Sequence, residues 1–66
     1  MKIIVNGKPK DFSSAVSVAN LLEDMQLADQ RVAVEINLEV IPRSRYGQYQ
    51  LQDNDRVEIV RAIGGG

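Results

Sequence analysis

Apolar positions along the chain change their spacing from one stretch to the next, and each change marks an element. Met1 to Asn6 carries an unbroken run, Ile3-Ile4-Val5, that predicts a strand with apolar neighbours on both faces or a central place in a sheet. Asn6-Gly7 follows at once and predicts a hairpin, because both central residues of a type I′ turn need φ > 0. The return, Lys8 to Phe12, holds Pro9, which cannot donate to a ladder, and two lysines; it belongs at a sheet edge, with the Phe12 ring turned to the core. Ser13-Ser14 reads as a loop. Ser17 is a good N-cap for a helix from Val18 to about Gln26, in which Val18, Leu21, Leu22 and Met25 form one apolar stripe while Asn20, Glu23 and Asp24 face water.

From Arg31 to Asn37 the alternation is clean, with Val32, Val34 and Ile36 on one side and Ala33, Glu35 and Asn37 on the other. That is a half-buried strand. Asn37-Leu38-Glu39 turns into the short run Val40-Ile41, which Pro42 stops, and Arg43 to Gly47 predicts one irregular or 3₁₀ turn. Tyr46, Tyr49 and Leu51 are expected over the open side of the core. Gln52-Asp53-Asn54-Asp55 is a turn cluster, after which Arg56 to Ala62 forms a last strand with Val57 and Ile59 inward.

Hairpin, helix, strand, short crossing and strand make an α+β domain with one helix on one face of a mixed sheet. Pro9 puts the second strand at an edge and the first inside. A last strand rich in Val and Ile also wants a central place, and parallel pairing beside the first strand supplies it. The arrangement is a β-grasp, the ubiquitin-like fold, over residues 1–63, with Gly64-Gly65-Gly66 as a flexible tail on a central strand.

Composition narrows the chemistry. A chain of 66 residues makes one domain and buries only about 60% of the surface that its unfolded form exposes, which leaves no room for an enclosed active site. It has no Cys and no His. Disulfide and zinc staples are thereby excluded, together with the commonest nucleophile and the commonest general base. A formal net charge of −1 gives no long-range field for nucleic acid or anionic lipid, and Arg43 and Arg45 read as a solvated loop. No apolar run approaches the roughly 20 residues of a membrane span, and cytoplasmic residence is the default expectation. The candidate chemistry lies in the tail: glycine has no Cβ and can thread a channel too narrow for a side chain, so the Gly66 carboxylate is the candidate reactive group.

Several stretches together carry a family resemblance. Met1-Lys2-Ile3-Ile4-Val5-Asn6-Gly7, Leu21-Leu22, Val34-Glu35-Ile36-Asn37 leading to Val40-Ile41-Pro42-Arg43, then Asp53-Asn54-Asp55 before Val57-Glu58-Ile59 and a Gly-Gly terminus resemble ThiS, the ubiquitin-like sulfur carriers of thiamine biosynthesis. The likeness covers the whole chain. It departs at Asn54, where the family often has glycine, although Asn also tolerates the left-handed region.

The resemblance implies a cycle run by other proteins. A ThiF-like adenylating enzyme would use ATP and Mg²⁺ to make an acyl-adenylate on Gly66, and a persulfide donor such as a cysteine desulfurase would supply sulfur for a thiocarboxylate. Thiazole synthase, ThiG-like, would then take the sulfur. The chain itself would be a co-substrate with no cofactor, metal or catalytic residue of its own. Gly64 and Gly65 would enter the partner's channel. Ordering three such residues costs about 3 to 6 kcal/mol, so the folded body must add docking free energy. The expected docking surface is the sheet face opposite the helix, with Ile4, Glu58, Val60 and Ala62, and with Arg56 or Arg61 near the rim. Three other readings share the pattern: a molybdopterin-synthase small subunit, a ubiquitin-like protein modifier, and a non-covalent β-grasp binding module. The first commonly approaches its Gly-Gly through a proline-containing segment, which Arg61-Ala62-Ile63 lacks.

Overall fold

The computed structural model describes residues 1–61. The glycine tail at 64–66, Ala62 and Ile63 lie outside the described residues. Five strands and one α-helix follow in the order β1 (Lys2–Val5), β2 (Lys8–Asp11), α1 (Val18–Asp24), β3 (Val32–Ile36), β4 (Glu39–Ile41), a 3₁₀ turn (Arg43–Arg45) and β5 (Arg56–Arg61). The sheet runs β2-β1-β5-β3-β4. β1 pairs antiparallel with β2 and parallel with β5, and β3 pairs antiparallel with both β4 and β5. This is the β-grasp, with Pro9 on the edge strand and β5 at the centre.

The alternation on each strand sorts its side chains onto two faces. Ile3 and Val5 of β1, Val34 and Ile36 of β3, and Val57 and Ile59 of β5 are buried with Val18, Leu21 and Leu22 of the helix in one core. Leu51 completes its floor, and Tyr46 and Tyr49 pack half-buried beside it, as their place in the crossing predicted. Val16 is buried too, one residue before the helix cap, where the sequence pattern gave no periodic signal. Phe12 lies just past the end of β2, yet its N–H donates to the Met1 carbonyl at 2.8 Å. Its ring is half-buried against the core.

The helix is shorter than the stripe implied, ending at Asp24 with Met25 as its cap. Gln26 takes φ 62, the left-handed position that glycine usually fills. The Gln26 N–H then donates to the Glu23 carbonyl at 3.0 Å and the Leu27 N–H to the Leu22 carbonyl at 2.7 Å, the paired bonds of a Schellman motif. At the other end Ser17 is the N-cap, as expected, but Asn20 has a second task. The Asn20 N–H donates to Ser17 Oγ at 3.1 Å, and the Ser17 N–H donates to Asn20 Oδ1 at 3.2 Å. With both ends closed, a seven-residue helix holds its place through capping and burial, since so short a segment is marginal in isolation.

Candidate functional site

The face of the sheet turned away from the helix carries the side chains that alternate with the core. On β5 these are Arg56, Glu58 and Val60; on β1, Ile4; on β3, Ala33 and Glu35; on β4, Val40. Register brings them together. Ile4 stands opposite Arg56, Glu35 opposite Glu58, Ala33 opposite Val60, and Glu35 also opposite Val40. Val60 is 62% exposed and Val40 67% exposed, on β5 and β4 with Ala33 and Glu35 of β3 between them. Ile4 is half-buried and Glu58 exposed. Three of the four residues expected to form a docking face therefore share one surface, and the fourth, Ala62, lies outside the described residues. Ala33, Glu35 and Val40 belong to that face as well. The alternation of β3 had already put Ala33 and Glu35 opposite Val34, but only the strand order makes them neighbours of Val60 and Glu58. A shallow hollow of about 260 Å³ opens beside the patch between Ile4, Gly7, Arg56, Val57 and Glu58.

Glu35 and Glu58 form a like-charged cross-strand pair, an arrangement that weakens a sheet. Neither has an ion pair among the described residues, where the one salt bridge is Lys10 to Asp24 at 3.1 Å, far along the other edge.

β5 itself is anchored on both flanks. On the β1 side the Ile4 N–H donates to the Asp55 carbonyl and the Asn6 N–H to the Val57 carbonyl, each at 2.9 Å. The Asn6 side chain carries the ladder one step further, with the Ile59 N–H donating to Asn6 Oδ1 at 2.8 Å. On the β3 side the Asn37 N–H donates to the Arg56 carbonyl at 2.8 Å. Asp55, which is 8% exposed, accepts from Asn37 Nδ2 at 3.0 Å and from the Gln52 N–H at 2.8 Å. Whatever continues from Arg61 starts from a fixed point. Among the described residues no group of three or more acidic side chains could hold a metal ion, and no described helix is long and apolar enough to cross a membrane.

The ThiS family model matches residues 3–66, nearly the whole chain. The chain belongs to the ThiS family. Among ThiS relatives, the Bacillus subtilis sulfur carrier protein ThiS is 38% identical over 63 residues, covering 94% of this chain and 96% of that protein. The crystal structure of the thiamine biosynthesis protein ThiS from Geobacter metallireducens superposes with a TM-score of 0.85 at 35% identity, each chain covered in full. A thiazole synthase of Paramagnetospirillum magneticum is 44% identical over all 66 residues. The chain spans only 20% of the length of that thiazole synthase, so the likeness is to one part of a larger protein.

Proposed function

We propose that this ThiS-family chain is a sulfur carrier of thiamine biosynthesis, a protein that other enzymes load and unload at the Gly66 carboxylate and that catalyses nothing itself. The observation that carries the reading is the family match running through residue 66, on a fold whose central strand leads toward the three glycines. A missing Cys and His agree with a passive role, since the chain then brings neither the common nucleophile nor the common base.

A carboxylate is a poor electrophile, so it has to be activated. In the proposed cycle a Gly66 carboxylate oxygen attacks the α-phosphate of ATP on a ThiF-like enzyme, with Mg²⁺ balancing phosphate charge, and pyrophosphate leaves. The terminal sulfur of a persulfide, supplied by a donor such as a cysteine desulfurase, adds to the acyl carbon and AMP leaves. A second thiol then cleaves the sulfur–sulfur bond of the acyl disulfide, so that a disulfide forms on the donor side and the thiocarboxylate stays on Gly66. Thiazole synthase is the proposed acceptor of that sulfur. Curated thiazole synthases from two bacteria, 44% and 41% identical to this chain over one-fifth of their length, support that partner, because they join a stretch like this one to the rest of a thiazole synthase.

Gly64 and Gly65 are the part proposed to enter a partner's channel, and the outer sheet face with Ile4, Glu58, Val60 and Ala62 is the proposed docking surface. Intact mass after incubation with a cognate activating enzyme, ATP, Mg²⁺ and a sulfur source tests the reading. Exchange of one oxygen for sulfur is the expected result. Lysine-linked adducts would point instead to a protein modifier, and an unchanged mass would point to a non-covalent binding module.

A further inference from the structure

The end of the sheet where β5 hands over to residue 62 gathers nearly all the arginine of the molecule. Arg61 closes β5 and stands opposite Val32, the first residue of β3, so Arg31 sits one step beyond that pair. Ile41 and Ile59 both stand opposite Val34, so the chain leaving β4 through Pro42 travels toward the same end. It then forms the 3₁₀ turn Arg43–Arg45. The Tyr46 hydroxyl donates to the Val32 carbonyl at 3.4 Å and ties that turn to the start of β3. Arg31, Arg43, Arg45 and Arg61 are all exposed, and none has an ion-pair partner among the described residues. Only Arg56, at the far end of β5, lies elsewhere.

Four of the nine acidic side chains lie at the opposite end. Asp11, Glu39, Asp53 and Asp55 cluster there through the register of β2 with β1 and through the turns beside Asn37 and Asn54. Asp29, two residues before Arg31, is the carboxylate nearest in sequence to the arginine end. Lys2, Arg56 and the Met1 amine share the end that holds Asp11, Glu39, Asp53 and Asp55, so what distinguishes the end at which β5 finishes is its local cluster of arginines without ion-pair partners among the described residues, which can orient an approaching partner.

We infer that Arg31, Arg43, Arg45 and Arg61 form a collar that docks on an acidic rim around the channel of the activating enzyme that receives the tail. The inference rests on the reading of the chain as a carrier loaded at Gly66. It concerns protein carboxylates and not nucleotide phosphates, on grounds of reach. Five residues, 62–66, separate Arg61 from the carboxylate and extend at most about 18 Å, much further than an arginine side chain spans. With the tail extended toward the α-phosphate, the collar meets the channel mouth while the nucleotide lies deep beyond it. Guanidinium groups suit that task, since each matches a carboxylate through two parallel hydrogen bonds.

The test compares wild type with Arg43→Glu/Arg45→Glu and with Lys2→Glu/Ser13→Glu/Ser14→Glu, which changes the net charge equally at the opposite end of the sheet. Retained thermal transitions establish that the variants fold. In ATP–pyrophosphate exchange by the activating enzyme, the collar variant is expected to raise KM for the carrier about tenfold at low salt. It should leave kcat and KM for ATP unchanged, and the difference should shrink as salt rises. Unchanged KM for the carrier, an equal rise in the control variant, or a rise in KM for ATP would each overturn the collar. Binding measured by calorimetry without ATP separates this from the carrier reading. Wild type that binds more tightly than the collar variant but supports no exchange would leave the collar standing and remove the loading chemistry, whereas equal binding would remove the collar.

Discussion

Asn6 and Asn37 do the same work on opposite flanks of β5. Each takes a positive φ, 50 and 52 respectively, in a two-residue turn, and each turns its amide inward as a substitute for backbone. Asn6 accepts from the Ile59 N–H and donates to the Ile59 carbonyl at 3.3 Å, while Asn37 Oδ1 accepts from the Arg56 N–H at 3.0 Å. Leu38 is the contrasting case. It follows Asn37 at φ 72 and is 89% exposed, so it combines a left-handed backbone, costing about 1 to 2 kcal/mol for a non-glycine residue, with an apolar side chain in water. In urea unfolding, Leu38→Gly should therefore raise stability by about 1 kcal/mol and Asn6→Ala should lower it by about 1 to 3 kcal/mol. A lower midpoint for Leu38→Gly would mean that the leucine makes contacts outweighing its strain. The Asn6-Gly7 turn was legible in the sequence, because it is a local signal. The bonds from Asn6 to a residue 53 positions away were not, because an amide that copies a backbone group leaves no periodic trace.

At the scale of elements, β3 and β5 share the longest register in the sheet, and they spend part of it on Glu35 against Glu58. Neutralising one member, Glu58→Gln, is expected to stabilise the domain by a few tenths of a kcal/mol and yet to weaken binding to the activating enzyme, if the outer face is where it docks. Thermal melts and calorimetric binding on the same preparation test the pair of effects; a variant that gains stability and binds unchanged would remove Glu58 from the interface. The edge position of β2 followed from Pro9 and the central position of β5 from its Val and Ile content, each through a rule that acts on one strand. The end of the helix was misread because its stop signal is a glutamine. Gln26 adopts the left-handed cap without the glycine that normally announces it, so the apolar stripe seemed to run on through Met25. The neighbours of Val60 depended on strand order, which no single strand encodes.

For the whole molecule, the β-grasp was legible because every strand carried its own pattern and few topologies satisfy them together. The gathering of arginine at one end was not, since Arg31, Arg43, Arg45 and Arg61 are scattered through the sequence and only the register collects them. The central strand is the last in sequence and lies between two hairpins formed from nearby residues. Each hairpin can form early, on local contacts, but joining them requires β5 to close loops of some fifty residues, as the bonds from Asn6 to Ile59 illustrate. Contacts of that range are gained late in folding. Loading at Gly66 should therefore fall with urea along the same curve as the folded fraction, measured under conditions in which the activating enzyme itself stays active; loading that persists well past the unfolding midpoint would break the link. On the proposed reading, seating β5 is a maturation checkpoint: the strand that completes the fold is also the one that leads into the tail sequence, so an activating enzyme that needs the seated strand would pass over a half-folded chain.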